Sequence, residues 1–249
     1  MKSVSESVRN PIDYYGVNVG GVISLLKEMD KTGIKKLVFS SSATVYGLPS
    51  YLPYDENHPT NPINPYGWSK LISETILRDW VHTDNDKYAI SLRYFNPVGA
   101  DGSGKIGEQP LGRPNNLMPL VAQAAAGIIE ELKIYGNDYD TEDGTGLRDY
   151  IHVVDLAKAH VVAMQRFAKI GRFEIFNIGR GTPTSVLELI NEFEKISGVK
   201  LNITYEQRRD GDLAASWTSN KKAKTMLGWD CEKNLSEMCS DMWAWQKSL

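Results

Sequence analysis

The sequence predicts an α/β protein, with a parallel sheet in its first part and a smaller mixed α/β domain after it. Two observations predict this fold class. Helix and strand patterns alternate over the first hundred residues, which is typical of parallel strands joined by helices. The chain has 249 residues, enough for one large domain or two small ones whose core needs neither disulfides nor a structural metal.

The first half contains two helix patterns and two strand patterns. Apolar residues at helical spacing predict a helix from Pro11 to about Gly33, with Asn10 as its cap. The apolar run 37–39, which ends in three serines, predicts a buried strand that meets a polar rim. The pair Asn64-Pro65 predicts a capped helix to about residue 81, and 89–95 predicts the next strand.

The second half is less regular. Residues 96–116 are rich in proline and glycine and predict a long functional loop. A polar, irregular stretch is expected over 136–147, and Ser185 with Glu188 forms a capping-box pattern. The remaining predictions are helices over 117–129, 153–168, 185–197 and 235–246, and strands over 133–135, 173–178 and 201–205.

Composition excludes several classes of function. Lys+Arg total 28 and Asp+Glu 31, a net charge of −3, so we expect no broad surface for nucleic acid. No apolar run is long enough to cross a membrane, and the first ten residues lack the apolar core of a signal peptide, so we expect a cytoplasmic protein that binds no membrane. Cys231 and Cys239 form neither a zinc pattern nor a disulfide framework.

Tyr66 and Lys70 are the first candidates for catalysis. Four residues form about one helical turn, so the phenol and the ammonium share a helix face. A nearby ammonium lowers the pKa of a phenol, which makes it usable as a general acid or base. Ser42 follows a predicted strand, at the edge where parallel sheets bind ligands, and is placed to relay a proton. The alternatives are a chance pair among 12 tyrosines and an ordinary polar strand end.

Two other patterns resemble ligand sites but lack the required context. Residues 102–107 match G-x-G-x-x-G, yet no strand precedes them and no helix pattern follows, so we reject a nucleotide site there. The acidic loop with Asp138, Asp140, Glu142 and Asp143 departs from the calcium-binding loop at its glycine and final positions, which favours a solvated loop.

Two arginine-containing segments supply cations within a net-acidic chain. They are 148–150 (RDY) and 208–212 (RRDGD). Arginine forks suit phosphate oxygens, and a following aspartate can orient the fork or bind sugar hydroxyls. Local ion pairs explain the same residues equally well.

Six segments together resemble the UDP-glucose 4-epimerase family of extended short-chain dehydrogenases/reductases. In chain order they are FSSSATVYG (39–47), NPYGWSK (64–70), LRYFNPVGA (92–100), PNNLMP (114–119), YGNDYDTEDGTGLRDYIHV (135–153) and RRDGDLAAS (208–216). The resemblance covers essentially the whole chain. It implies a Rossmann-type doubly wound sheet that binds NAD, formed by 1–96 with 151–179 returning to it, and a UDP-sugar-binding domain over 97–249.

The resemblance also implies roles for individual residues. Tyr66 takes the proton of the sugar 4-hydroxyl, Lys70 binds the nicotinamide ribose and lowers the pKa of Tyr66, and Ser42 bonds to the same hydroxyl. The nicotinamide end of the cofactor also lies near Lys2, Tyr94 and Phe95. The implied UDP-sugar residues are Ser42, Asn96, Asn115, Asn116, Leu117, Lys133, Ile134, Tyr135, Arg148, Arg209, Asp212 and Ser216.

The implied reaction interconverts UDP-glucose and UDP-galactose through transient NAD-dependent oxidation at C4, in a homodimer that pairs the 10–30 and 64–81 helices. In this family, the position that Ser216 occupies holds either a bulky residue or a small one. A small residue leaves room for a 2-acetamido group, which extends the expected substrates to UDP-GlcNAc and UDP-GalNAc.

The family begins with a strand, a glycine-rich turn and a helix that hold the cofactor pyrophosphate, and no such segment precedes Met1. We therefore expect NAD binding to be the property that decides whether this exact polypeptide is active alone. Three alternatives to an active epimerase remain open: an inactive fragment, a non-catalytic UDP-sugar-binding relative, and another NAD-dependent nucleotide-sugar enzyme of the same fold. Ala43-Thr44 after Ser42 argues against a 4,6-dehydratase, which typically has Asp-Glu there.

Overall fold

A computed structural model describes residues 1–110, 112, 114–209 and 211–249, which form two compact units. The first unit comprises Met1–Phe95, Lys158–Ile178 and Ser219–Trp229, and the second Asn96–Ala157, Gly179–Thr218 and Asp230–Leu249. The segment Ser219–Trp229 thus belongs to the first unit, although the resemblance had placed it with the sugar domain.

The described residues form eight α-helices and ten strands. The helices are α1 (Val4–Arg9), α2 (Pro11–Tyr14), α3 (Gly20–Thr32), α4 (Pro65–His82), α5 (Leu117–Ala125), α6 (Val153–Arg166), α7 (Val186–Ser197) and α8 (Leu235–Lys247). The strands are β1 (Lys36–Ser42), β2 (Tyr88–Tyr94), β3 (Asn96–Val98), β4 (Leu132–Tyr135), β5 (Leu147–Arg148), β6 (Tyr150–His152), β7 (Phe173–Ile178), β8 (Thr184–Ser185), β9 (Ile203–Glu206) and β10 (Ala215–Ser216).

The first unit is built on a three-stranded parallel sheet in the order β1-β2-β7, which confirms the predicted fold class. Ser42 pairs with Tyr94, and Tyr94 with Ile178, so all three strands end at the same edge. Ser40–Ser42 belong to β1, whereas the sequence predicted that the strand ended before them, because β2 continues the pairing to Ser42. Apolar residues of α3, α4 and β2 form its core.

The structure confirms the helix predicted from Asn64-Pro65 as α4, and it differs from the prediction in the segment before α4. The predicted helix from Pro11 is divided into α2, a π-helical turn over Tyr15–Val19, and α3, and it stops at Gly33 in a left-handed conformation (φ 73°). The Asn10 side chain makes no capping bond. Its N–H instead bonds to Glu6 O at 2.9 Å and ends α1, a helix that the sequence analysis did not predict.

The described residues of the second unit form three small sheets. Strand β3 pairs with β6, β4 with β9, and β5 lies between β8 and β10. Helices α5, α7 and α8 pack around one apolar core. The predicted capping box of α7 is present, and Asn234 with Glu237 forms a second one at α8. Helix α5 ends at Ala125, four residues earlier than expected, and Gly127 then takes a φ of 72°.

The loop predicted over 96–116 includes strand β3, and no helix begins at the glycines 102–107. The calcium-like acidic loop is held by protein groups: Asp143 accepts bonds from Thr145 and Ser185, and Asp138 pairs with Arg208. Asp210 of the RRDGD segment lies outside the described residues. Within the part of the chain that the structure describes, no helix is both long and apolar enough to span a membrane.

Candidate active site

Tyr66 and Ser42 meet where α4 begins and β1 ends in the first unit. Asn64 caps α4 by accepting a bond from Gly67 N at 2.8 Å, which places Tyr66 in the first turn. A Cβ on Gly67 would lie 2.7 Å from Thr44 O, so glycine at this position lets the first turn of α4 approach the chain that follows Ser42. Both Tyr66 and Ser42 are buried. The Ser42 hydroxyl accepts from Thr44 N at 3.3 Å and from Thr44 Oγ1 at 3.0 Å.

Lys70 lies one turn further along α4 and faces the same strand. Its Nζ donates to Ser40 O at 3.0 Å and lies 5.1 Å from the centroid of the Phe39 ring. The same atom is 5.7 Å from the centroid of the Tyr66 ring. The ammonium is therefore beside the phenol ring and bonded to the strand backbone.

Burial controls the protonation of this pair. Burial raises the pKa of Tyr66 to about 12, while the Ser42 side chain acts in the opposite direction. Burial also lowers the pKa of Lys70, and the negative charge of Glu74 opposes that shift. The pKa of Tyr66 lies above its ordinary value because the loss of hydration around the phenol outweighs its neighbours, and the lowering of that pKa by Lys70 stays a prediction.

The residues expected near a nicotinamide lie in the same unit. Asn18 Nδ2 donates to Met1 O at 3.2 Å and to Ser69 Oγ at 3.0 Å, so the backbone before Lys2 is tied to α4 next to Lys70. Lys2 itself is exposed. No local sequence pattern marks Asn18, because its partners lie 17 and 51 residues away.

Tyr94 and Phe95 follow each other at the end of β2 but differ in environment. The half-buried Tyr94 ring lies 6.2 Å from the His160 ring, centroid to centroid. The Phe95 side chain is buried in an apolar cluster with Tyr54, whose ring centroid is 6.1 Å away. The structure therefore leaves mainly the backbone of Phe95 to contact a ligand.

The second unit gathers the arginines that the sequence singled out. Arg209 Nε donates to Asp212 Oδ2 at 2.8 Å, and Arg148 Nη2 lies 3.9 Å from Asp212 Oδ1. Arg148 Nη1 also donates to Leu147 O and Leu213 O at 2.9 and 2.8 Å. Asp212 thus holds two guanidinium groups together, an arrangement suited to an anion with several oxygens.

Other predicted ligand residues surround this cluster. The Arg209 guanidinium lies 4.9 Å from the Tyr135 ring centroid. Ser216 pairs with Arg148 in the β10–β5 register and is half-buried. Lys133 Nζ is 2.5 Å from Glu206 Oε1. Ile134 lies in the apolar core, so its side chain does not face a ligand surface.

The asparagines predicted to line the sugar site are exposed in the second unit. Asn96 donates its backbone N–H to Asp149 O at 3.0 Å, while its side chain is exposed. Asn115 and Asn116 precede α5, and the Asn116 side chain makes no capping bond there. Leu117 is half-buried against the apolar core.

Asp149 has a different role from the one the arginine segments suggested. It does not orient a guanidinium fork. Its buried carboxylate accepts three backbone N–H groups, from Arg180, Gly181 and Thr218, at 2.8, 3.0 and 3.2 Å. Burial nevertheless raises the pKa of Asp149 to about 6. The carboxylate therefore joins the segments that follow β5, β7 and β10.

Comparison with known proteins places this geometry in a family. A family model described as GDP-mannose 4,6 dehydratase matches residues 1–242. The human UDP-glucose 4-epimerase is 53% identical over 248 residues, covering 99% of this chain and 71% of that protein. The Bacillus subtilis UDP-glucose 4-epimerase is 51% identical, covering 100% of this chain and 73% of that protein.

The chain belongs to the UDP-glucose 4-epimerase family.

Solved structures of the family match the whole chain. The UDP-glucose 4-epimerase from Stenotrophomonas maltophila, with bound NAD and formylated UDP-arabinopyranose, has a TM-score of 0.96 at 47% identity. The Bifidobacterium longum enzyme, in complex with NAD+ and UDP, has a TM-score of 0.94 at 47% identity. This chain is covered completely in both comparisons, and 74% of each solved chain is covered. Membership of this family confirms the Rossmann-type architecture that the motifs implied.

Proposed function

We propose that the chain catalyses NAD-dependent epimerisation at C4 of UDP-hexoses, interconverting UDP-glucose and UDP-galactose. The observation that carries the proposal is the meeting of Tyr66, Ser42 and Lys70 at the carboxyl ends of parallel strands. Relatives with this fold are UDP-glucose 4-epimerases whose structures hold NAD and UDP. These three residues supply the acid, base and cationic groups that proton transfer at a sugar hydroxyl needs.

The donor set around Lys70 fits the nicotinamide-ribose part of NAD. The ammonium has three N–H groups, of which the Ser40 carbonyl takes one, so N–H groups remain for ribose hydroxyls. The chemistry that NAD supplies when bound is reversible hydride transfer at C4 of the hexose. The backbone joining Met1 to Ser3, tied to α4 by Asn18, borders the same end of the helix.

Tyr66 handles the proton in this proposal. With a pKa of about 12 in the chain by itself, the phenol is protonated at neutral pH and is ready to act as an acid. It acts as a base towards the 4-hydroxyl when additional positive charge lowers that pKa. Ser42 bonds to the same hydroxyl and shortens the proton path, and Lys70 keeps a positive charge beside the phenol ring.

The second unit binds the nucleotide part of the substrate in this proposal. Arg148 and Arg209 hold the diphosphate, Asp212 orients both guanidinium groups, and Tyr135 contributes a ring beside Arg209. The other residues proposed to line the UDP-sugar are Asn96, Asn115, Asn116, Leu117, Lys133 and Ser216, with Ile134 contributing only its backbone. Binding energy concentrated on UDP leaves the hexose free to turn over between hydride removal and return.

Turnover by the purified chain tests the proposal. The chain is supplied with NAD and UDP-galactose, and UDP-glucose formation is followed with a coupled assay. We expect turnover that Tyr66→Phe removes. A folded chain that binds UDP in calorimetry but shows no NAD binding and no turnover would instead support a non-catalytic UDP-sugar-binding protein.

We further propose that the substrates include UDP-GlcNAc and UDP-GalNAc. Ser216 is small and pairs with Arg148 in register, so a 2-acetamido group meets little bulk at this position. A UDP-Glc/GlcNAc 4-epimerase from Campylobacter jejuni is 36% identical to this chain with a TM-score of 0.84, and 75% of that chain is covered. Ser216→Tyr should abolish turnover of the acetamido sugars and spare UDP-galactose, and loss of both or of neither would contradict the idea.

We propose a cytoplasmic homodimer for the assembly. The predicted interface uses the helices over 10–30 and 64–81, and apolar side chains are exposed on both, Ile12 at 79% and Trp68 at 39%. Exposed apolar residues on neighbouring helices are typical of subunit contacts. Light scattering after size-exclusion chromatography should give a dimer for the chain and a monomer for Ile12→Lys, whereas an unchanged mass would place the interface elsewhere.

A further inference from the structure

A buried ion pair lies behind the proposed catalytic residues. Glu74 of α4 and Arg93 of β2 are 3% and 4% exposed at their side chains. Arg93 Nη2 donates to Glu74 Oε2 at 2.6 Å, and Arg93 Nε donates to Glu74 Oε1 at 2.9 Å. The pair is bidentate, the arrangement in which a guanidinium and a carboxylate orient each other most firmly.

The same carboxylate also holds β1. Ser41 Oγ donates to Glu74 Oε1 at 2.6 Å, and Ser41 is completely buried next to Ser42. Ser41 and Arg93 are register partners on adjacent strands. Glu74 therefore fastens α4 to the ends of two strands, one helical turn beyond Lys70 and two turns beyond Tyr66.

The network continues to the third strand of the sheet. The Arg93 guanidinium lies 4.9 Å from the centroid of the Tyr46 ring, and Tyr46 Oη donates to Asn177 Oδ1 of β7 at 2.6 Å. Buried ion pairs add little net stability compared with apolar residues of the same volume. Stability alone therefore does not explain a charged network at this edge of the sheet.

We propose that Glu74 is a positioning residue for the epimerase reaction. Through Ser41 and Arg93 it fixes α4 against β1 and β2, so that the Tyr66 and Ser42 hydroxyls face one sugar hydroxyl, and its charge stabilises the Lys70 ammonium. The role rests on the proposed function, because it concerns the same three catalytic groups. It extends that function to a residue that does not touch the substrate.

The surroundings of Lys70 make Glu74 its main electrostatic neighbour. A groove of about 300 Å3 beside Lys70 is lined by residues of α3, β1, α4 and the π-helical turn. Its other lining residues carry no charge. From α4 the titratable groups are Tyr66 and Glu74, and β1 contributes the Ser40 carbonyl. Burial lowers the pKa of Lys70 and Glu74 raises it.

Two serine variants test the positioning role without disturbing the ion pair. Ser41→Ala removes the bond between β1 and Glu74. Ser91→Ala is the matched control, because Ser91 of β2 is equally buried and its hydroxyl has no hydrogen-bond partner. We expect kcat to fall roughly tenfold in Ser41→Ala with KM unchanged, because small misplacements of catalytic groups are costly, and to stay at the wild-type value in Ser91→Ala. Equal kcat values in the two variants would overturn the role.

Glu74→Gln tests the effect on Lys70. In the chain without cofactor, NMR titration of ¹³Cε-labelled lysines should show a lower pKa for Lys70 than in the wild type. Because the ammonium is then lost at a lower pH, the fall of kcat with rising pH should begin at a lower pH than in the wild type. Asp30→Asn is the control, since it removes a different ion pair of the same unit, that with Lys87 at 2.6 Å. If Glu74→Gln does not fold, the double variant Glu74→Gln/Arg93→Gln removes the charges while keeping hydrogen-bonding groups.

An unchanged Lys70 titration in the folded variant contradicts the electrostatic part of the role. Wild-type turnover separates this inference from the proposed function. If the wild type epimerises UDP-galactose and Ser41→Ala does so equally well, only the positioning role fails. If the wild type shows no turnover with NAD, the proposed function fails and the role with it.

Discussion

Glu74 in the first unit and Asp149 in the second are both buried carboxylates, but their partners differ. Glu74 is bonded to a guanidinium, that of Arg93, whereas Asp149 is bonded to three backbone N–H groups. The side chains proposed to act on the substrate also differ between the two units, in how exposed they are. Tyr66 is buried, whereas the Arg209 side chain is 55% exposed. The first unit is thus organised for fixed geometry, as proton transfer requires, and the second presents accessible charge, as diphosphate binding requires.

Tyr66→Phe gives the largest expected effect and tests the catalytic side of this contrast. We expect kcat to fall by about 10²–10⁴-fold, the usual contribution of a positioned acid or base, with UDP affinity in calorimetry unchanged. Tyr14→Phe is the control, because the Tyr14 ring packs edge-on against Tyr66 while its hydroxyl bonds to Glu6. A variant that keeps its kcat but loses UDP affinity would reverse the roles of the two units.

Arg209→Ala tests the binding side. A hydrogen bond to a charged group contributes about 1.5–3 kcal/mol, so we expect the Kd for UDP to rise roughly 10- to 100-fold with little change in kcat. Arg208→Ala is the matched control, since Arg208 is comparably exposed but pairs with Asp138 and stacks on Tyr139. Equal losses in the two variants would indicate a general effect of charge rather than a diphosphate contact.

The pH dependence of stability tests the burial of the Asp149 carboxylate. The pKa of Asp149 is about 6 in the folded chain and about 3.9 in an unfolded one. The folded chain therefore binds this proton more tightly, and the free energy of unfolding falls by up to about 3 kcal/mol as pH rises from about 4 to 6. Denaturant unfolding of Asp149→Asn across this range should lack that fall.

Asp143→Asn is a control for which the expected change of unfolding free energy with pH has the opposite sign. Burial acts to raise the pKa of Asp143, but hydrogen bonds from Ser185 and Thr145 outweigh it and hold that pKa below its usual value. This carboxylate therefore stabilises the fold above its unfolded pKa and loses that contribution as pH falls. The wild-type minus variant difference in unfolding free energy should therefore decline with pH for Asp149 and rise with pH for Asp143. Difference curves of the same sign would contradict the assignment.

Removing either of two helix caps gives the smallest expected effects. Comparing the two variants separates a loss of folding stability from a change in the position of Tyr66. Asn64 caps α4 by accepting from Gly67 N, and Asn234 caps α8 by accepting from Glu237 N, at 2.8 and 3.0 Å. Each Asn→Ala change should cost about 1 kcal/mol and lower Tm by a few degrees. Only Asn64→Ala should also lower kcat, because Tyr66 lies in the turn that Asn64 holds. Equal kcat values would show that the cap does not position Tyr66.

The sequence predicted correctly those helix starts that depend only on residues a few positions apart. Asn64-Pro65 and Ser185 with Glu188 mark helix starts because a side chain and a backbone N–H three residues apart are enough to form the cap. Asn10-Pro11 carries the same signal, and α2 does begin at Pro11, but the Asn10 side chain makes no capping bond there. A cap pattern therefore predicts where a helix begins, whereas the side-chain bond itself depends on the conformation of the cap residue, here shared with the end of α1.

The order of the motifs and the one-turn spacing of Tyr66 and Lys70 were determined by the sequence alone, because both follow from the chain and from helix geometry. Only the tertiary structure decided the pKa values and the ion pairing of the ionisable groups in the site. Burial raises the pKa of Tyr66 and lowers that of Lys70, and Glu74 finds its partner Arg93 on another element. Loss of hydration depends on atoms far away in sequence, so no local pattern encodes it.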